Sequence, residues 1–251
     1  MAVCACFLMP QTAMAFHPLA SDDAATLGEA HLELELTDRF AHPSAVDLNA
    51  QYGLGLSAHG GLADRIDLGV TWFFESWVQQ QGGARFGSAD PTLDLKWRLA
   101  DGRDLLPNLA VRLDYSPGGF NTLTPGGHDA GALLIASWDY RPLSIHLNVG
   151  SYGRELARVE HDETIVASSA ISASLGHMVS TVLEGFYETS IAGEHWHVDG
   201  LGGFLFHLAP AWVSSLGAGP TWENEGRLGW SVTWGITVSL APPTEEWANA
   251  F

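Results

Sequence analysis

The segment from Trp230 to Leu240 alternates without a break. Trp230, Val232, Trp234, Ile236, Val238 and Leu240 are large and apolar; Ser231, Thr233, Gly235, Thr237 and Ser239 between them are small or polar. Period two sends successive side chains to opposite faces of a strand, so this strand has one greasy face and one polar face. The pattern recurs along nearly the whole chain. Val46, Leu48, Ala50, Tyr52, Leu54 and Leu56 alternate with Asp47, Asn49, Gln51, Gly53 and Gly55, and Ile66, Leu68, Val70, Trp72 and Phe74 do the same with their neighbours. Many such strands without a helical period predict an all-β fold, a transmembrane antiparallel up-and-down β-barrel of about twelve strands.

Their expected centres are Leu34, Ala50, Val70, Leu95, Leu113, Leu134, Leu147, Ala170, Leu183, Gly202, Ser214 and Trp234. The connections supply a separate check, because barrels of this class have short periplasmic turns and longer outer loops. The even-numbered connections are short: 60–65, 101–107, 140–142, 176–178 and 208–210. The odd-numbered ones at 79–89, 117–129, 152–163, 190–195 and 220–227 are longer or richer in Gly, Pro and charge. Only the first, 40–44, is short where a long one is allowed. Trp72, Trp77, Trp97, Tyr115, Trp138, Tyr140, Trp196 and Trp230 fall near expected strand ends, as interfacial aromatic girdles would.

Composition agrees. Of 251 residues 46% are hydrophobic and 10% aromatic, with 10 Trp, yet no run reaches the ~18 apolar residues of a membrane helix. Residues 1–15 read as a signal peptide with a small-residue cleavage site at Ala13-Met14-Ala15, leaving 16–251 as the barrel with a short N-terminal periplasmic segment and a C-terminal tail. No basic residue precedes Arg39, which places the expected start further upstream. Cys4 and Cys6 both lie in the leader, so the mature chain would have no thiol chemistry. The formal charge of −18, from 29 acids and 11 bases, excludes a nucleic-acid partner. The expected partners are outer-membrane lipid and lipopolysaccharide, the barrel-assembly machinery and a small-molecule solute in the bacterial outer membrane.

Alternation also assigns an inward face. In the first five strands it holds Glu33, Glu35, Asp47, Asp67, Glu75, Asp94, Lys96, Arg98, Arg112 and Asp114, and the ninth strand adds Glu184 and Glu188. The eighth and twelfth strands contribute a small neutral wall that includes Ser168, Ala170, Ser172, Thr233 and Thr237. About eight strands leave a filled barrel and about sixteen an aqueous channel, so twelve is intermediate. The charged interior reads two ways. It is a narrow polar pore, or a salt-bridged plug in which Arg98 and Arg112 neutralise Asp94, Asp114 and Asp67. The N-terminal segment, with Asp22 and Asp23 beside Pro18, is expected at the periplasmic mouth near a lumen arginine.

Three stretches carry a family resemblance. They are His17-Pro18-Leu19-Ala20-Ser21-Asp22-Asp23-Ala24, Gly61-Leu62-Ala63-Asp64-Arg65-Ile66-Asp67-Leu68-Gly69, and Asp94-Leu95-Lys96-Trp97-Arg98 followed by Leu106-Pro107-Asn108-Leu109. In this order they resemble the outer-membrane transporter family labelled "MetA-pathway of phenol degradation". The resemblance implies a porin-like barrel, loosely akin to channels for hydrophobic or aromatic compounds, but names no solute. His17 and Ser21 stand where the family has Arg and Thr. The family's last strand ends on an aromatic residue, whereas here Pro242 and Pro243 separate Leu240 from Phe251.

Catalytic and metal chemistry is weakly marked. His195, His197 and Asp199 share a face without zinc-ligand spacing, and Ser190 with His195 has the residue types of a rim lipase. No nucleophile-elbow, Walker or dinucleotide fingerprint is present. The expected function is passive diffusion of small solutes across the outer membrane, with neither catalytic residues nor cofactor. An outer-membrane lipid-modifying enzyme and a closed structural barrel are the alternatives.

Overall fold

The computed structural model describes residues 21–42, 48–79, 82–120, 126–156, 160–191, 196–223 and 228–240. They form one antiparallel sheet closed on itself. The strands are β1 (Leu32–His42), β2 (Leu48–Ala63), β3 (Ile66–Gln79), β4 (Ala84–Ser88), β5 (Thr92–Ala100), β6 (Asn108–Ser116) and β7 (Gly126–Tyr140). They continue as β8 (Leu143–Leu156), β9 (Glu160–Ser174), β10 (Val179–Ser190), β11 (Trp196–Ala209), β12 (Trp212–Glu223) and β13 (Leu228–Leu240). Every expected centre lies in a strand. Closure is made by β1 against β13, from Leu32 opposite Leu240 to His42 opposite Trp230.

Thirteen segments make twelve wall positions because β4 and β5 share one. The first half of β3 pairs with β5, from Ile66–Trp97 to Thr71–Thr92. The second half pairs with β4, from Phe74–Ser88 to Val78–Ala84. Pro91 sits in the break between them and has no N–H to give the ladder. Ala89 keeps its own bond, donating to the Phe73 carbonyl at 2.9 Å. What the sequence reads as the loop 79–89 is therefore partly wall.

The sidedness follows the alternation. Val70, Trp72, Val232 and Trp234 are exposed on the outside, whereas Thr233 and Thr237 are 4% and 3% exposed and point inward. Val46 and the side chain of Leu48, expected on the same outer face, lie outside the described residues. Leu34, Leu68, Leu95, Leu113, Leu134, Leu147, Leu183 and Leu216 continue the apolar belt around the barrel. With strands long enough to cross ~30 Å of hydrocarbon, this is an outer-membrane barrel. Trp97, Tyr140 and Trp212 mark one end of the belt, and Tyr115, Tyr187, Trp222 and Trp230 the other. Trp77 departs from the expected girdle. It shares the inner face of Phe73 and Glu75 and donates to the Glu75 carboxylate at 2.8 Å.

The short turns keep their expected phase, with only residues 64–65, 141–142 and 210–211 between strands at three of them. Opposite, β8 and β9 extend through the segment expected as a loop and stay paired as far as Leu156–Glu160. Charge misled the loop reading there.

Replacing Leu216, at the middle of β12 on the lipid side, by arginine is expected to destabilise the barrel by about 2–4 kcal/mol. Denaturant unfolding in lipid vesicles measures this, and a cost near zero would mean that this face does not meet hydrocarbon.

Candidate functional site

The lumen is crossed by the segment before β1. Ser21, Asp22, Asp23, Ala24 and Thr26 are all buried, although they belong to no strand. The segment is anchored at the periplasmic end and climbs inward. Gly28 adopts φ +84°, a left-handed turn open to glycine, and its backbone packs so closely on Gly61 that Gly61 can carry no side chain there. The Thr26 hydroxyl donates to the Asp64 carbonyl at 2.8 Å, and the Leu27 N–H donates to the Asp67 carboxylate at 3.0 Å. Deeper in, the Ala24 N–H donates to Ser137 Oγ of β7 at 2.8 Å, and the Ser21 N–H donates to Glu184 of β10.

Two cations hold this strap. Lys96 Nζ on β5 lies 2.9 Å from Asp22 and 3.7 Å from Asp23. Arg112 on β6 reaches the other oxygen of Asp22 at 3.1 Å and Asp114 at 3.0 Å. The Tyr152 hydroxyl of β8 donates to Asp114 at 2.7 Å and accepts from Arg112 at 3.4 Å. Gly131 makes room for the Tyr152 ring, which occupies the place a Cβ would take. Asp22 is thus the hub between two basic side chains on adjacent strands. Burial alone would raise its carboxyl, but the Lys96 ammonium and Arg112 guanidinium outweigh burial and hold it down at about 2. Burial dominates at Asp23 and pushes that carboxyl up to about 7. Two neighbouring carboxylates that share one lysine separate in this way.

The remaining expected lumen residues divide. Glu33 is buried and accepts from the Ser239 hydroxyl at 3.3 Å across the closing seam. Asp94 faces His59 at 3.7 Å, and Glu35 is half-buried on β1. Arg98 leaves the group. It pairs with Asp101 at 3.5 Å and donates to the Asp64 carbonyl, so it serves the periplasmic rim and neutralises neither Asp94 nor Asp67. Asp101, which also pairs with Arg65, sufficed to draw it outward. Asp47 lies outside the described residues, as do the leader at 1–15, His195 with its pairing to Ser190, and the tail after Leu240.

Sequence reasoning, which placed Phe186 inward beside Glu184 and Glu188, missed the rest of the apolar interior. Ala24, Ala110, Leu133, Ile135 and Val166 form a buried cluster inside the barrel, with Tyr152 and Phe186 packed against it. Beside it Ser137 meets His146 at 3.0 Å, and Asn148 is 4% exposed. Continuing the period from His146 and Asn148 by two steps of two places Tyr152 inward, which was a usable signal. Leu133 and Ile135 gave none, because both faces of β7 are apolar in that stretch. On β11, His197 meets Asp199 at 2.8 Å and Glu223 at 3.7 Å. Among the described residues no group of three or more His, Cys, Asp or Glu side chains could hold a metal ion.

No family model and no curated protein matches this chain. Solved structures do. The barrel is similar to an outer-membrane channel from Pseudomonas putida F1, with TM-score 0.65 and 9% identity over 87% of this chain and 98% of that one. NanC porin follows at TM-score 0.60 and 10% identity, over 82% of this chain and 100% of that one. The CymD monoaromatic hydrocarbon channel has TM-score 0.50 and 10% identity, over 86% and 90%. At such identities the likeness is one of fold, the closed outer-membrane barrel.

The two strap carboxylates have opposite linkage to pH. Asp22, held below its ordinary 3.8, contributes stability that is present above that value and lost as pH falls towards 2. Asp23, raised to about 7, contributes stability that is full below 3.8 and lost as pH rises through 7. Thermal unfolding in detergent is expected to occur at lower temperature at about pH 8 than at about pH 5, and Asp23→Asn should flatten that difference. A wild-type melting temperature that climbs steadily over this range would contradict the assignment.

Proposed function

We propose that the chain is a narrow outer-membrane channel through which small solutes diffuse passively, selected by size and by the charge of the lumen wall. The observation that carries this reading is the incompletely filled interior. Small neutral residues line β9 and β13, a charged group lines β3, β5 and β6, and space remains beside Arg112. A barrel built only for stability would fill that space with larger side chains. Passive diffusion needs this arrangement and no moving part: a polar path, a constriction and a fixed wall potential.

The wall potential is negative. Around the strap, Asp22, Asp23, Glu33, Asp67, Asp94 and Asp114 stand against Lys96 and Arg112. Acidic linings draw cations and repel anions. The solutes that the sequence resemblance implies, aromatic or hydrophobic compounds, fit the apolar cluster around Leu133 and Phe186, and a hydrocarbon channel is among the structures of similar fold.

In planar bilayers the protein is expected to conduct with cation preference, read as the reversal potential in a salt gradient. Arg112→Ala should raise conductance and strengthen that preference, because it frees volume and unpairs the carboxylates of Asp22 and Asp114. The same change should cost stability, on the order of 3–5 kcal/mol, as a buried pair loses one partner. Anion preference in the wild type, or no conductance from folded barrels, would exclude this function.

A further inference from the structure

The strap is held in two different ways on the two sides of Gly28. After Gly28 the chain is tied to the end of β2. The Ala30 N–H donates to the Gly61 carbonyl at 3.0 Å, and the Gly61 N–H donates to the His31 carbonyl at 2.9 Å. Before Gly28 the described side chains that are buried are Ser21, Asp22, Asp23, Ala24 and Thr26, while Leu27 is half-buried. Of these only Ala24 joins the apolar cluster. A methyl group is the smallest apolar anchor a side chain offers, so the hold depends on hydrogen bonds and ion pairs. A segment held by charge can be released by a change of charge.

Asp23 is where that change can occur. Its Oδ1 accepts from the Ala25 N–H at 2.7 Å, inside the strap itself. Its Oδ2 is buried and has no hydrogen-bond partner among the described residues. Lys96 stands 3.7 Å away and is already taken by Asp22 at 2.9 Å. The walls around the strap bring more acids than bases. Glu33 comes from β1, Asp67 from β3, Asp94 from β5 and Asp114 from β6, and Glu184 of β10 accepts from the Ser21 N–H. Against them stand Lys96 of β5 and Arg112 of β6, with His59 of β2 facing Asp94 and His146 of β8 behind Ser137. A second ionised carboxylate beside Asp22 therefore meets repulsion from several sides. In the seated strap burial pushes the Asp23 carboxyl up to about 7, and in water it returns to its ordinary 3.8. The seated strap keeps a proton that the released strap gives up. Each pH unit between these two values favours release about tenfold more, and the effect levels off above 7. Asp22, held down at about 2, is ionised throughout this range and adds no slope.

We propose that the strap is a proton-controlled gate: with Asp23 neutral it stays seated across the lumen, and when Asp23 gives up its proton the segment unseats about Gly28 and the path widens. Asp22 with Lys96 and Arg112 is the clasp, and Asp23 sets the pH at which the clasp yields. Gly28 is left-handed and free of a side chain, so it can absorb the change in backbone angles. The barrel wall need not move, because β1 begins at Leu32, beyond that joint. The effect on solutes rests on the channel reading, whereas the movement of the strap is a separate property.

Conductance and strap release are measured separately on the full chain. In planar bilayers the wild type is expected to dwell at least about tenfold longer in a wider conductance level at pH 8 than at pH 5, and to return on acidification. Asp23→Asn should lose that rise, and Asp23→Glu should keep it. His59→Gln and His146→Gln should also keep it, which separates Asp23 from the two imidazoles. Ala24→Cys combined with Ser137→Cys, in a mature chain expected to have no other thiol, should hold the pH 8 conductance at its pH 5 level until a reductant is added. Release itself is read as hydrogen exchange of the Ala24 and Leu27 amides in detergent, corrected for the intrinsic effect of pH. Their protection should fall by about tenfold or more between pH 5 and pH 8, while that of the β8 amides holds. No change of conductance and protection in the wild type, a rise that survives in Asp23→Asn or is lost with either histidine, or a disulfide without effect would overturn the proposal. The wild-type measurements decide even if a variant does not fold. Strap release without bilayer conductance would keep the moving strap and exclude the channel, whereas conductance with the strap protected at both pH values would do the reverse.

Discussion

A backbone N–H in hydrocarbon has no water to turn to, and each one left unpaired costs several kcal/mol. The structure answers that constraint with the seam between β1 and β13, in register over the whole of β1. Without it the sheet would have two open edges in lipid. The even number of wall positions follows, since an up-and-down meander must bring its last strand back antiparallel to its first. So does the handling of the break between β4 and β5. Where Pro91 withdraws a donor between β4 and β5, the neighbouring Ala89 N–H is still spent on the Phe73 carbonyl.

Closure creates a second problem on the inside. A ring of this size encloses more space than its own inward side chains fill, and the charged ones among them are mostly acids. The strap addresses both. It brings backbone and small side chains into the middle, and it brings Asp22 to the two basic groups, Lys96 and Arg112, on adjacent strands. Lys96 is the single lysine of the chain, and it is spent here. Buried charges persist only when paired and hydrogen-bonded, and every basic nitrogen of this group has an oxygen partner within about 3–4 Å. The excess of acids over bases that remains gives the lumen its sign.

Fold and function separate clearly in this molecule. Structures that match it in fold share about a tenth of its residues, so likeness transfers the barrel and not the cargo. What distinguishes this barrel is local. An apolar cluster inside the wall, an arginine with both carboxylates satisfied, and a glutamate beside a phenylalanine make a lumen with separate greasy, neutral and acidic sectors.

Local pattern was enough to locate the strands, their sidedness and the end of the barrel at which turns are short. The reason is that period two is enforced one residue at a time: Val232 and Trp234 must meet lipid, and Thr233 must not. It also marked Lys96, Arg112, Asp114 and the two strap aspartates as inward or mouth-facing groups. Tertiary structure alone decided which of them meet. Asp22 and Arg112 are 90 residues apart in sequence, and nothing local states that a strap from the N-terminus will lie beneath β6. Arg98 has the same periodicity as Lys96 yet turns to the rim, because Asp101 stands within its reach where β5 ends. Leu133, Ile135 and Val166 line an interior that alternation would have kept polar, since a segment threaded through the barrel shields them from water. Pairing across the lumen depends on curvature, on the length of flexible side chains and on what else occupies the middle, and none of these is written in the pattern of a single strand.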